Sequence, residues 1–403
     1  MGRTFVIVGA GQAGAQAAAT LRAEGFQGRL VLLGEEPRPP YERPPLSKAF
    51  LSGALPEEKL AIRKPAFYED RAIELRTGVA ATAIDRAAAR LALSDRTSLD
   101  YDRLLLATGA AVRRLPVPGA DLEGVHYLRT AEDALALRAG LAEGARVVIV
   151  GGGYIGLEVA AAAAKAGCRA TVLEAASRIM GRVTCEPVSR FYENLHRRNG
   201  VELRMGAQVA TIEGEGRVAG VRLADGTVLP AELVVVGVGI RPSDELARAA
   251  DLPCDDGILV DAVGRTGDPR IFAAGDVARQ PNPVGQGLVR LECVQNAVGQ
   301  AQAAARAMLG VEKPNTEVPW FWSDQYGVKL QIAGLALPTD EPLLRGDPAS
   351  GRFSVLYLRD GRLAAIDTVD AMRDFLPGKK LIAEGRVLDR AKAADPAVPL
   401  AEA

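Results

Sequence analysis

The pattern that most restricts how this chain can fold occurs twice. Phe5-Val6-Ile7-Val8 is an apolar run of strand length, and Gly9-Ala10-Gly11-Gln12-Ala13-Gly14 follows it at once. Arg146-Val147-Val148-Ile149-Val150 repeats the run, followed by Gly151-Gly152-Gly153-Tyr154-Ile155-Gly156. Alanine-rich stretches with helix-forming composition come next, Ala15 to Ala23 in the first copy. In a GxGxxG turn the first glycine permits the tight turn and the second lets a pyrophosphate approach the backbone. The third lets the helix pack against the strand. The helix start then offers unsatisfied N–H groups and a positive dipole end to phosphates. A lone GxGxxG is weak, but two copies, each set between strand and helix, imply two dinucleotide sites on two lobes.

A second strand in each copy delivers an acid. Arg29 to Gly34 leads to Glu35, and Arg169 to Leu173 leads to Glu174. A carboxylate there can accept from an adenosine ribose hydroxyl. At the second site it favours a free 2′-hydroxyl and repels a 2′-phosphate, so NADH is expected over NADPH. Arg178 and Arg182 follow closely and are suited to a phosphate, which keeps NADPH open.

Composition removes several other classes of function. The 403 residues carry 49 Lys+Arg against 50 Asp+Glu, so no global field recruits nucleic acid or an anionic membrane. Aromatic residues are 5%, too few to suggest a base-stacking surface. Val147 to Ala164 imitates a membrane span, but four glycines and Glu158 make a strand, turn and helix the better reading. No signal-peptide pattern precedes the first strand, and a cytoplasmic location is expected. The cysteines, Cys168, Cys185, Cys254 and Cys293, form neither CxxC nor CxxxxC nor a metal-ligand spacing, and are expected as reduced thiols. With His126 and His196 as the two histidines, no histidine-rich metal site is expected. Redox chemistry must then come from bound cofactors.

Between the repeats, Pro37 to Lys48 is proline-rich and reads as a stiff irregular segment, a plain surface loop or a rigid wall that presents Arg43 and Lys48. Ile84 to Asp102 and Val201 to Leu229 read as small sheets. Leu104-Leu105-Leu106, Leu233 to Val236 and Ile271 to Ala274 read as buried strands. Asp276, past the last of these, is placed where open α/β sheets bind ligands, or is an ordinary turn aspartate. From Trp320-Phe321-Trp322 the pattern becomes that of a small α+β domain, with both tryptophans as core residues or as functional rings. The tail from Lys392 to Ala403 is expected to fray.

With these motifs assembled, the sequence resembles the FAD-dependent, NADH-using ferredoxin reductases of the glutathione-reductase superfamily, of the type that serves cytochrome P-450 and Rieske oxygenases. The likeness covers nearly the whole chain. Its specific carriers are Arg43-Pro44-Pro45-Leu46-Ser47-Lys48 and Pro319-Trp320-Phe321-Trp322-Ser323-Asp324-Gln325-Tyr326, supported by Ala107-Thr108-Gly109, Tyr127-Leu128-Arg129-Thr130 and Gly275-Asp276.

The resemblance implies an α/β fold with two Rossmann-like dinucleotide-binding domains, for FAD and NAD, and a C-terminal α+β domain. The FAD domain would comprise 1–112 and 247–318, the NAD domain 113–246 and the third domain 319–403. FAD would be held by Gly9, Gly11, Gly14, Glu35, Arg43, Lys48, Ala81, Arg129, Asp276 and Val294. NADH would lie along Gly151, Gly153, Tyr154, Ile155, Gly156, Glu158 and Glu174. Where disulfide reductases of the superfamily carry a reactive CxxxxC, this chain has the Pro-Pro stretch, so no thiol relay is expected. The implied reaction carries electrons from NADH through FAD to a 2Fe–2S ferredoxin, in a monomer or homodimer. A rubredoxin or quinone reductase and an NADH-sensing flavoprotein like apoptosis-inducing factor are the alternatives. Lys48, Glu158 and Trp322 are the expected catalytic residues. A Lys48–Glu158 ion pair is expected because a carboxylate in an apolar helix start needs a partner, and facing turns would bring the two together.

Overall fold

Both apolar runs become central strands of five-stranded parallel sheets. In the first sheet the order is Ile271–Ala273, Arg103–Leu106, Thr4–Val8, Arg29–Gly34 and Ile73–Thr77. In the second it is Glu202–Met205, Arg169–Glu174, Arg146–Val150, Leu233–Val236 and Val125–Tyr127. Side chains alternate across a strand, so a central parallel strand must be apolar on both faces. Phe5 and Ile7 enter one core with Leu21, Phe272 and Ala301, while Val6 and Val8 enter another with Leu91, Leu104 and Ile258. Val147 and Ile149, against Val148 and Val150, divide in the same way. Each such side chain contributes roughly 1.5–3 kcal/mol on burial.

The computed structural model describes residues 2–282, 284 and 287–403. The chain forms two units. One is Met1–Glu42, Glu58–Ala111 and Arg241–Phe321; the other is Arg43–Glu57, Val112–Ile240 and Trp322–Ala403. Small antiparallel sheets sit at Ala81–Asp85, Arg90–Leu93 and Ser98–Asp100 in the first unit. Their counterparts in the second are Val209–Glu213, Gly220–Leu223 and Val228–Pro230. The C-terminal sheet runs Trp320–Gln325, Val328–Gly334, Arg362–Val369, Arg352–Arg359 and Glu341–Asp347. It shares a core with the second parallel sheet, since Leu330, Phe353, Val355 and Val369 pack with Val147, Leu157 and Tyr192.

Three local expectations need correction. The first helix begins at Gln12, directly after the second glycine, and runs to Ala23. The proline segment contains a 3₁₀ turn, Pro44–Ser47, because prolines at its first two positions give up N–H groups that a helix start leaves unused. The tail is ordered by a clamp. Arg345, 3% exposed, binds Asp374 at 2.9 Å and donates to the carbonyls of Ala393, Asp395 and Val398 at 3.1, 2.6 and 2.7 Å. Leu400 and Ala403 are buried behind it. In the apparent membrane span, a strand ends at Val150 and a helix starts at Tyr154. No helix among the described residues is long and apolar enough to cross a membrane.

Candidate functional site

At the first turn, Gly9 has φ +108°, and a Cβ there would lie 2.1 Å from the Ala107 carbonyl oxygen. A Cβ on Gly14 would lie 1.8 Å from the Gly9 oxygen. These two glycines are required by the protein's own backbone. Gly11 is different, because a Cβ there meets nothing within 4 Å. The second turn repeats all three results. Gly151 has φ +109° and its Cβ would lie 2.4 Å from Gly237 oxygen; the Cβ of Gly156 would lie 2.1 Å from Gly151 oxygen; Gly153 faces open space. A glycine that internal packing does not require, at the position where a diphosphate must approach the backbone, fits a dinucleotide at each turn.

The helix starts agree. Among the described residues, no side chain caps Gln12–Ala23 or Tyr154–Lys165, whose N-caps are Gly11 and Gly153, and neither first turn holds an acid. The start of Ala131–Gly140 is capped by side chains instead. Thr130 and Asp133 form a reciprocal capping box on Ala131–Gly140, an interaction worth about 1 kcal/mol. The uncapped starts leave N–H donors and a positive dipole end available to phosphate oxygens.

In the first unit, Glu35 is exposed just past Arg29–Gly34, and Ala81 begins its strand in the small sheet. Asp276 follows Gly275, whose φ is +83° and whose N–H donates to buried Gln300 Oε1 at 2.7 Å. Val294 is the first residue of Val294–Met308, again a helix without a side-chain cap. In the second unit, Arg43 donates to the Arg129 carbonyl at 2.6 Å, and Arg129 N–H donates to Asp133 at 3.0 Å. The Leu128-Arg129-Thr130 motif is thus a helix cap that fixes an arginine. Glu174 accepts from the N–H groups of Gly152 and Ala176, both at 2.8 Å. Arg178 is tied to Ser189 Oγ at 2.6 Å and the Gly181 carbonyl at 2.9 Å. Ile155 is 46% exposed at the second helix start, while Tyr154 is mostly buried and its phenol pKa is pushed well up by desolvation. Trp322 is half-buried on Trp320–Gln325.

The expected ion pair is present, with Lys48 Nζ 2.6 Å from Glu158 Oε2. Its origin differs from the expectation. Both residues belong to the second unit, where Phe50 and Leu51, each 1% exposed, anchor the segment that carries Lys48. Glu158 is 2% exposed, so its charge needs full compensation. Besides Lys48 it receives Ser47 Oγ at 2.5 Å on Oε2 and Ser323 Oγ at 2.6 Å on Oε1. Sequence reasoning missed Ser47, Ser323, Gln325 and His196 as members of this cluster. The available signal was their place inside the two specific motifs, except for His196, which sits on an ordinary amphipathic helix.

The four cysteines are unpaired thiols. Burial pushes each one up, Cys293 to about 11, so none is primed as a thiolate.

Comparison with known proteins places these features in a family. Residues 3–305 match the pyridine nucleotide-disulphide oxidoreductase model and residues 320–403 the reductase C-terminal model. The chain is 46% identical to a probable ferredoxin reductase of Castellaniella defragrans, over 98% of this chain and 97% of that one. It is 43% identical to putidaredoxin reductase of Pseudomonas putida, over 98% and 96%. The crystal structure of a covalent putidaredoxin reductase–putidaredoxin complex superposes with a TM-score of 0.97 at 43% identity, covering 99% of this chain and 97% of that one.

Proposed function

Because the chain belongs to the pyridine nucleotide-disulphide oxidoreductase family, we propose that it is a ferredoxin reductase using FAD and NADH. It carries electrons from the nicotinamide cofactor to a ferredoxin that serves an oxygenase system. We read the ferredoxin as a 2Fe–2S protein and the oxygenase as a cytochrome P-450 or Rieske type. FAD, when bound, accepts a hydride and releases electrons singly; the protein positions and tunes it. The domain reading stays that of 1–112 with 247–318 for FAD, 113–246 for NADH and 319–403 for the third domain.

The chain's own residues divide the work. Gly9, Gly11 and Gly14 with the helix start at Gln12 receive the FAD diphosphate, while Glu35 takes the ribose. Asp276 and Val294 lie at a strand end and a helix start suited to the rest of the molecule, with Ala81, Arg43 and Arg129 completing the set. Gly151, Gly153 and Gly156 receive the NADH diphosphate, and Glu174 takes the adenosine ribose. Arg178 is held by Ser189 and Gly181, which supports NADH because its two terminal guanidinium nitrogens already donate within the protein. Tyr154 and Ile155 begin the helix on which Glu158 orients the nicotinamide amide. Lys48 balances Glu158 and favours negative charge on the reduced flavin. Trp322 lies on the electron-exit side.

The observation that carries the reading is the buried Lys48–Glu158 pair one helical turn beyond an uncapped glycine cradle. Lys48→Met and Glu158→Gln should each slow flavin reduction by NADH about tenfold or more, because each leaves one charge without its partner. The double variant should lose less than the two effects combined, measured by anaerobic stopped-flow absorbance. Strictly multiplicative losses would contradict a joint role. Trp322→Ala should slow ferredoxin reduction more than flavin reduction, and equal losses would reassign the ring to the core.

A further inference from the structure

Glu158 ends a chain of hydrogen bonds that can run in one direction. Its Oε1 receives the hydroxyl of Ser323 at 2.6 Å. A serine hydroxyl has one proton, so Ser323, having donated it, can only accept from Gln325 Nε2 at 3.1 Å. The Gln325 amide oxygen then faces His196 Nε2 at 2.8 Å. An amide oxygen cannot donate, so His196 must hold its proton on Nε2. Nδ1 is left as an acceptor for the Tyr326 hydroxyl at 3.2 Å. Ser323, Gln325 and His196 are 0, 1 and 0% exposed, so bulk water offers them no alternative partners. Burial also pushes the His196 pKa down to about 4, which keeps the ring neutral near neutral pH.

We propose that Ser323, Gln325 and His196 are positioning residues for hydride transfer, a relay whose aligned donors hold the second carboxylate oxygen of Glu158. This rests on the reading that Glu158 orients the nicotinamide amide. Lys48 and Ser47 fix Oε2 alone, and a carboxylate held at one oxygen can turn about that contact. Ser323 fixes the other oxygen, and the chain behind it fixes Ser323. Two further titratable groups in electrostatic reach of Glu158, the phenols of Tyr154 and Tyr192, are pushed well up by burial and stay neutral. Alternation along Trp320–Gln325 puts Ser323 and Gln325 on one face of the strand and Trp322 on the other. One strand thus supports Glu158 with one face and carries the tryptophan assigned to electron exit on the other.

The directionality can be read without any turnover. The chain has two histidines, so ¹⁵N-histidine labelling of the FAD-loaded protein gives two rings, with His126→Gln to assign them. His196 should show a protonated Nε2 and an unprotonated Nδ1, unchanged between about pH 5.5 and pH 8. A proton on Nδ1 would reverse the chain and overturn the proposal.

The functional arm is anaerobic flavin reduction at varied NADH. Ser323→Ala should lower the limiting rate about tenfold while half-saturation moves less than about twofold, since a hydrogen bond to a charge is lost and the adenosine end is untouched. Ser323→Thr, which keeps the hydroxyl, should recover most of that loss. In a Glu158→Gln background Ser323→Ala should add less than about twofold. A full tenfold loss on top of Glu158→Gln would mean that Ser323 acts by another route and would overturn the relay. Wild-type rates in Glu158→Gln alone would instead remove the role of Glu158, and the imidazole tautomer would still report whether the chain of donors exists.

Discussion

The two glycine cradles are nearly copies in backbone and differ in how each treats the acid beside it. Gly9 and Gly151 donate their N–H groups at the same register, to the Leu33 and Leu173 carbonyl oxygens at 2.9 and 2.8 Å. The residue after Leu33 is Gly34, whereas the residue after Leu173 is Glu174. A Cβ on Gly34 would lie 2.8 Å from the Ala10 side chain, so Ala10 occupies the space over that strand end. The second cradle exchanges the two sizes. Gly152 replaces Ala10, and the Glu174 carboxylate fills the space and accepts the Gly152 N–H. Glu35 lies one residue later and is exposed. Two acids that look equivalent by spacing are therefore unlike. One is pre-set by the turn itself and the other is exposed, so the second cradle should be the more selective for its ribose.

The comparison is broken most completely through the third glycines. Gly14→Ala puts a Cβ against Gly9 oxygen at 1.8 Å and should yield protein without flavin. Gly156→Ala makes the same collision in the other cradle, at 2.1 Å from Gly151 oxygen, and should keep the yellow flavin spectrum while losing reduction by NADH. Visible spectra of the two purified variants decide it; flavin loss from Gly156→Ala would mean the cradles are not separate sites.

A second contrast concerns acid. The second unit buries two ionisable groups that act in opposite directions. Burial holds His196 near 4, below its ordinary 6.5. The unfolded chain therefore takes up that proton first as pH falls, and stability of about 3 kcal/mol, present above about pH 6.5, is lost towards pH 4. Asp367, buried with Thr184 and Tyr357 hydroxyls at 2.5 and 2.6 Å, is raised from 3.8 to about 6. It stabilises below its unfolded pKa, and that contribution is lost as pH rises through about 6. The two offset one another between about pH 4 and 6. Asp367→Asn should remove one and expose the other, so that stability in urea rises more steeply with pH across that window. An unchanged slope would show that Asp367 titrates normally.

A smaller effect separates the acids. Glu174→Ala should raise the half-saturating NADH about tenfold and admit NADPH, whereas Glu35→Ala should weaken FAD retention and leave the nicotinamide preference as it was. Equal effects on NADH would erase the distinction drawn above. Smallest of all, replacing Cys168, Cys185, Cys254 and Cys293 together should leave turnover per bound flavin within about twofold, since burial raises every thiol.

The central strands of the parallel sheets, the turns and the small sheets were legible because apolar runs and glycine spacing are local signals. Ile73–Thr77 and Val125–Tyr127 gave no such signal, and Glu202–Met205, read with the small sheet of Val201 to Leu229, is an edge strand of the second parallel sheet. The ion pair was legible from the cost of burying Glu158, but the reason for it was not. Lys48 reaches Glu158 because Phe50 and Leu51 bury its segment in the second unit, a choice of partner that no local pattern encodes. Ser323 and Gln325 lay inside a legible motif whose partner was not legible, and His196 was invisible for the same reason: it looks like any helix residue until the strand carrying Gln325 is laid beside it. The tail misled because alanine and proline suggest fraying, while Arg345, far away in sequence, supplies the donors that order it. Long-range polar contacts set the site, and periodicity does not report them.

The central claim is that electrons enter from NADH and leave to a ferredoxin without a thiol between them. Anaerobic sequential stopped-flow with the FAD-loaded, cysteine-free protein tests it directly, mixing first with NADH and then with an oxidised 2Fe–2S ferredoxin. Flavin absorbance should bleach on the first mixing. It should recover on the second as the iron–sulfur absorbance falls, with two ferredoxins reduced per NADH. A flavin that bleaches with NADH and then leaves the ferredoxin oxidised would contradict the account.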